Sequence, residues 1–229
     1  MAGRAGSLDD RARASARPLP RLIESSSVPS ETSTETTSPE TFGVTIGSQE
    51  TELPIVELGE GERMALMITV DLGVRFMTQA GADLAELLRD LRPDVIAAPA
   101  TLGIPLALEV SRALGYDDYV ILQKSRKWYL RDSPRLDVNS ITTQDTQTLI
   151  LDKSRIPLVA GKRVVVVDDV LSTGASVATS VELLEQVGAE VVGIGVMLTE
   201  SDLWMERLGA HAANVRSLGE VPFPVPPQG

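Results

Sequence analysis

The stretch Val164-Val165-Val166-Val167-Asp168-Asp169-Val170-Leu171-Ser172-Thr173-Gly174-Ala175-Ser176 decides the fold. Four consecutive β-branched residues, Val164–Val167, read as a strand buried on both faces, which is the signature of a parallel sheet covered by helices. Two carboxylates stand at the end of that run. A loop of small residues then opens a helix expected over Val177–Val187, closed by Gly188. In open α/β sheets ligands bind outside the carboxyl ends of the strands, which is where these residues fall. Ser172–Ser176 offers backbone N–H groups at a helix start, three hydroxyls, and in Gly174 a position with no side chain to block close approach. That combination makes a cradle for a phosphate dianion. Asp168 and Asp169, one step upstream, are acceptors suited to the vicinal diol of a sugar carrying that phosphate. A strand end whose acids merely cap the next helix is the competing reading, but one cap needs one acid.

Outward from this run, apolar residues alternate between strand and helix spacing. Phe42–Ile46, Leu53–Leu58 and Ala65–Val70 are expected as short strands of an N-terminal antiparallel portion. Phe76, Met77, Ala80, Leu84, Leu87, Leu88 and Leu91 recur at helical spacing. Asp94–Ala98 is expected as a strand, Pro105–Leu114 as a helix stopped at Gly115, and Tyr119–Gln123 and Glu190–Leu198 as further strands. Strands that alternate with crossover helices define an α/β fold with a parallel sheet flanked by helices.

Length and composition bound the rest. The 229 residues are 43% hydrophobic, enough for one domain of ordinary size with additional unstructured chain. Glu24–Thr41 is nearly all Ser, Thr, Pro and Glu, so residues 1–41 are expected to be a disordered extension, 42–221 the domain, and Pro222–Gly229 a Pro-rich extended tail. The absence of Cys removes disulfide scaffolds, cysteine nucleophiles and thiolate metal sites, and a single His, His211, removes multi-histidine metal centres. A net charge of −11 argues against nucleic-acid binding through phosphate neutralisation. No apolar run approaches the ~18 residues of a membrane span, and the start of the chain has no signal-like apolar core, so a cytoplasmic protein is expected.

The Val164–Ser176 run resembles the signature with which type I phosphoribosyltransferases bind 5-phosphoribosyl 1-diphosphate (PRPP): a hydrophobic strand, two acids, two hydrophobic residues, then Ser/Thr-x-Gly-x-Ser/Thr. The surrounding order of elements agrees over about residues 42–220. The resemblance implies that Asp168 and Asp169 hold the ribose and that Ser172, Thr173, Gly174, Ala175 and Ser176 hold its 5′-phosphate. It also implies a small N-terminal hood, a Mg²⁺ ion held mainly by PRPP with no dedicated protein ligands, and a homodimer.

Two more segments fall where that family needs them. Ala98-Pro99-Ala100-Thr101-Leu102-Gly103 looks like the pyrophosphate loop, with Ala100–Gly103 as the gripping residues. Lys124-Ser125-Arg126-Lys127-Trp128-Tyr129-Leu130-Arg131 gathers four of the 21 cations into eight residues of an acidic chain. Such a cluster is either a solvated basic loop or a place an anion visits. It resembles the mobile loop that closes over pyrophosphate, which makes Lys124 and Lys127 catalytic candidates beside Asp168 and Asp169.

The base is read from departures. Guanine and hypoxanthine enzymes carry an Asp where this chain has Ser172, whereas adenine enzymes carry a small residue there. The Glu of the adenine enzymes' mobile loop has no counterpart here. Ser140-Ile141-Thr142-Thr143-Gln144 looks more like the xanthine enzymes. The resemblance therefore implies transfer of phosphoribose from PRPP to a purine, adenine first and xanthine next, in purine salvage. A PRPP-sensing regulator and a pyrimidine (orotate-like) transferase are the alternatives. Trp204 is a candidate to stack on the base, against simple packing of an amphipathic Leu203–Leu208 helix.

Overall fold

The computed structural model describes residues 40–59, 61–125, 130, 132–138 and 147–226. The expected disorder of residues 1–41 falls, but for Glu40 and Thr41, outside the described residues, as do Lys127 and Ser140–Gln144. Three strands open the domain: β1 (Thr41–Ile46), β2 (Gln49–Glu57) and β3 (Arg63–Ala65) form an antiparallel sheet in that order. The strand expected over Ala65–Val70 is instead this short β3. Its ladder with β2 stops at Ile55–Ala65, because the next partner, Pro54, accepts from the Leu66 N–H but has no N–H to return.

The main sheet is parallel. β4 (Val95–Pro99), β5 (Tyr119–Leu122), β8 (Arg163–Leu171), β9 (Glu190–Glu200) and β10 (Val215–Ser217) lie in the order β10-β9-β8-β4-β5, and β11 (Glu220–Val221) extends the β9 edge beyond β10. A hairpin of β6 (Arg135–Val138) and β7 (Gln147–Ile150) stands apart from it. Helices α1 (Gly73–Leu88) and α2 (Gly103–Leu114) cover one face, and α3 (Ala175–Gln186) with α4 (Leu203–Leu208) cover the other. The valine run feeds both layers: Val165 and Val167 pack with α1 and α2, while Val164 and Val166 pack with α3. All four are fully buried, each contributing about 1.5–3 kcal/mol relative to an exposed side chain.

The helices follow their patterns. In α1 the buried positions Met77, Ala80, Gly81, Leu84, Ala85 and Leu88 recur at three- and four-residue spacing. α2 ends at Gly115 in the left-handed region at φ 79°, with the Tyr116 N–H bonded to the Ser111 carbonyl. The packed unit reaches past the boundaries read from composition. Thr41 pairs with Pro54 in β1, and Val225, in the Pro-rich tail, is 3% exposed and donates its N–H to the Arg63 carbonyl.

Candidate active site

The order β10-β9-β8-β4-β5 contains one reversal. The chain leaves β4 through α2 toward β5 on one side, and leaves β8 through α3 toward β9 on the other. The two connections therefore diverge between β4 and β8, and the crevice they leave is the place where open α/β sheets take ligands. The β4–β8 ladder ends at Ala97–Val166, two residues before Asp168. Both acids lie inside β8, which runs on to Leu171 because β9 keeps pairing with it as far as Leu171–Thr199. Acids are poor strand formers, so sequence alone ends the strand at Val167; the β9 ladder overrides that preference.

Asp168 is 8% exposed, and its Oδ1 accepts the Asp169 N–H at 3.0 Å. Burial, followed by the charge of Asp169 beside it, holds its carboxyl well above the usual carboxylate range. The Lys124 ammonium acts in the opposite direction on the same group, so the first cation of the basic segment lies within electrostatic reach of the paired acids. Lys124 itself is exposed.

Both loops at the crevice begin helices. In the first, the Ala100 N–H donates to the Leu122 carbonyl at 2.9 Å and the buried Thr69 hydroxyl donates to the Leu102 carbonyl at 2.9 Å, which pins Ala100–Gly103 from two sides. The Ala100–Thr101 peptide is cis. Gly103 starts α2 directly against the acids: a Cβ there would lie 3.0 Å from Asp168 Oδ1 and 3.3 Å from the Ala98 Cβ. In the second loop Gly174 has φ 76°, and a Cβ on it would meet Trp204 at 3.0 Å, so only glycine fits. The amides of the first turn of α3 have no carbonyl partners within the helix, while Ser172, Thr173 and Ser176 are half-buried beside them. The geometry thus gathers Asp168, Asp169, Ala100–Gly103, Ser172–Ser176 and Lys124 around one crevice.

Trp204 is placed otherwise. It is 8% exposed, packs in the α3-side core, and its indole N–H donates to the Ser201 carbonyl at 3.0 Å. His211, without a partner by sequence spacing, lies 3.2 Å from Glu185. Two polar residues of the crevice were not legible in sequence. Thr69 is a lone hydroxyl in the apolar run Met67-Ile68-Thr69-Val70, and Glu200 follows the apolar stretch of β9; in both, a polar group interrupts buried chain. Glu200 is 5% exposed; burial raises its pKa, the Ser172 hydroxyl nearby acts to lower it, and the Asp169 charge raises it further.

Among the described residues no group of three or more His, Cys, Asp or Glu converges on a metal position, and no helix is long and apolar enough to cross a membrane.

This arrangement is an α/β fold with two helix-opening loops and a pair of acids meeting at its switch point, and comparison with known proteins places it further. A family model for the phosphoribosyl transferase domain matches residues 76–216. The chain is 32% identical over 125 residues to an adenine phosphoribosyltransferase of Oenococcus oeni, covering 55% of this chain and 68% of that one. It is 31% identical over 120 residues to an orotate phosphoribosyltransferase of Caldanaerobacter subterraneus (52% of each chain), and 31% over 147 residues to a xanthine phosphoribosyltransferase of Exiguobacterium sp. (63% and 75%). Among solved structures, the adenine phosphoribosyltransferase of Thermoanaerobacter pseudethanolicus superposes with a TM-score of 0.64 at 23% identity, over 74% of this chain and 95% of that one. The chain belongs to the phosphoribosyltransferase family and is an enzyme that transfers a phosphoribosyl group.

Proposed function

We propose that this enzyme transfers the 5-phosphoribosyl group of PRPP to a ring nitrogen of a purine, adenine in preference to xanthine, and releases pyrophosphate. The observation that carries the proposal is the meeting of Gly103 with Asp168, which sets the proposed pyrophosphate loop against the proposed ribose acids at the switch point. In this reading Asp168 and Asp169 accept hydrogen bonds from the ribose hydroxyls, and the Ser172–Ser176 amides and hydroxyls hold the 5′-phosphate. The ribose C1 then faces Ala100–Gly103. Breaking its bond to the diphosphate leaves positive charge on the sugar and negative charge on the leaving group.

The amides at the start of α2, with Lys124 and Lys127, stabilise that developing negative charge. Mg²⁺ fits the same crevice: the Asp169 charge disfavours ionisation of buried Asp168, a repulsion that a cation bound beside them on the substrate would relieve. Held mainly by PRPP beside Asp168 and Asp169, such an ion would supply positive charge against the leaving diphosphate. Within this proposal the protein is a homodimer acting in purine salvage.

Ser172, a small neutral residue rather than an acid, supports the adenine reading. The orotate relative supports a pyrimidine as the second reading. The test is pyrophosphate release from PRPP and Mg²⁺ with adenine, xanthine, hypoxanthine, guanine and orotate in parallel. Adenine is expected to give the highest kcat/KM. Release with orotate alone, or with no base, would contradict the proposal.

A further inference from the structure

The chain between β3 and α1 alternates as a strand does: Ala65, Met67 and Thr69 are buried, and Leu66 and Ile68 between them are half-buried. Ala65 and Met67 belong to the apolar core. The third inward position carries a hydroxyl. Thr69 is wholly buried, whereas Val70, the next residue, is 64% exposed. Hydrophobic burial alone would place the two in the opposite order, since valine matches threonine in shape and leaves no polar group to satisfy.

The Thr69 hydroxyl donates to the Leu102 carbonyl at 2.9 Å, 33 residues away in the chain. Leu102 is the N-cap of α2, and a carbonyl at that position already accepts the first bond of the helix. The oxygen is therefore satisfied without Thr69, and what the second bond adds is direction. Across a trans peptide the C=O and the N–H point to opposite sides, so tying the Leu102 oxygen to Thr69 aims the Gly103 N–H the other way. That N–H is one of the first four of α2, which have no carbonyl partner in the helix and point out of its open end. Gly103 forms the crevice wall there, where an added Cβ would lie 3.0 Å from Asp168 Oδ1.

Thr69 is itself held in place. The Asp71 N–H donates to the Ile68 carbonyl at 3.0 Å, closing a turn around it, and α1 begins shortly after, at Gly73. A tie between the N-terminal portion and α2 needs no hydroxyl, because Ala65 and Met67 already pack in one core with Leu106 and Ala107 of that helix. We propose, on the transferase reading above, that Thr69 is a positioning residue for the leaving group: it fixes the Leu102–Gly103 peptide so that the Gly103 N–H meets the diphosphate oxygen on which charge builds. Thr69 touches neither substrate. Its effect falls on the diphosphate side of the crevice, because the groups assigned to the ribose and the 5′-phosphate come from β8 and the start of α3. A donor aimed at developing charge counts most in the transition state.

The test compares wild type, Thr69→Val and Thr69→Ser by single-turnover pyrophosphate release, with PRPP, Mg²⁺ and the fastest of the five bases. Pyrophosphate and ribose 5-phosphate are titrated separately into each protein by calorimetry. Valine keeps the branched shape and removes the donor; serine keeps the donor. Thr69→Val is expected to slow release about tenfold and to weaken pyrophosphate binding, with ribose 5-phosphate affinity within about twofold of wild type. Thr69→Ser is expected to bring release back to within about threefold of wild type. Should Thr69→Val not fold, Thr69→Ala against Thr69→Ser makes the same comparison. Wild-type release in Thr69→Val, equal weakening of both ligands, or a Thr69→Ser as slow as Thr69→Val would overturn the role of Thr69 and leave the transferase reading in place. Wild type that releases no pyrophosphate with any of the bases would overturn that reading, and this inference with it.

Discussion

Gly103 and Asp168 touch. A methyl group at Gly103 would stand 3.0 Å from Asp168 Oδ1, closer than the two can approach without movement, so the first residue of α2 and the first acid of β8 share one wall of the crevice. The contact joins the leaving-group side of the proposed reaction to its sugar side without an intervening side chain.

Gly103→Ala should therefore separate stability from activity. Alanine favours the helix by about 0.5–1 kcal/mol over glycine, which offsets part of the crowding against Ala98 and the Val167 carbonyl, 3.4 Å away. The melting temperature is expected to change by a few degrees at most. Asp168 must shift by a few tenths of an ångström, and turnover is expected to fall about tenfold, given that misplacement by 1 Å costs about 10²-fold. Turnover equal to wild type would mean that Asp168 has no strict position to keep.

The raised pKa of Asp168, caused first by burial and then by Asp169, has a consequence for stability. Its folded pKa lies above its unfolded value, so the folded state binds the proton more tightly. Stability is fully present below the unfolded pKa and is lost as pH rises through the folded one. Glu200 adds to this in the same direction, mainly through burial. The ligand-free protein should melt lower as pH rises above the ordinary carboxylate range, and Asp168→Asn should flatten that slope without lowering the melting temperature at neutral pH. Melting curves across the acidic range check this. A clear loss of neutral-pH stability in Asp168→Asn would show that the charged carboxylate is a structural anchor.

Lys124 and Lys127 test transition-state stabilisation apart from binding. The charge of Lys124 reaches Asp168 even without substrate, and Lys127 is three residues on in the same basic segment. Lys124→Ala combined with Lys127→Ala is expected to retain most PRPP affinity while single-turnover pyrophosphate release slows about 10²-fold. An unchanged single-turnover rate would remove both lysines from the mechanism.

Much of the fold was legible because its strongest signals are local. Val164–Val167 can only be a doubly buried strand, and the spacing from Met77 to Leu88 can only be one helix face. What escaped sequence reading depends on partners distant in the chain. The β6–β7 hairpin is held by pairing, including Thr148 to Asp137 at 2.7 Å; Arg135-Leu136-Asp137-Val138 alternates over only four residues and Gln147-Thr148-Leu149-Ile150 does not alternate, so the pattern is too short to mark it. The extension of β8 through two acids and the early end of β3 likewise come from a neighbouring strand, not from the residues themselves. The crevice shows the same division. Asp168, Asp169 and the phosphate loop are contiguous and were readable, whereas Thr69 and Glu200 reach it from elements far away in sequence. Trp204 stands out in the sequence for its ring, but its placement depends on Gly174 and Ser201.

If the acids of β8 hold the ribose of PRPP, calorimetric titration of PRPP with Mg²⁺ into wild type and into Asp168→Asn/Asp169→Asn shows it directly. Each lost charge-assisted hydrogen bond is worth ~1.5–3 kcal/mol, so the folded double variant should bind PRPP at least ~10²-fold more weakly. A folded double variant that binds PRPP as tightly as wild type would show that these acids do not hold the ribose.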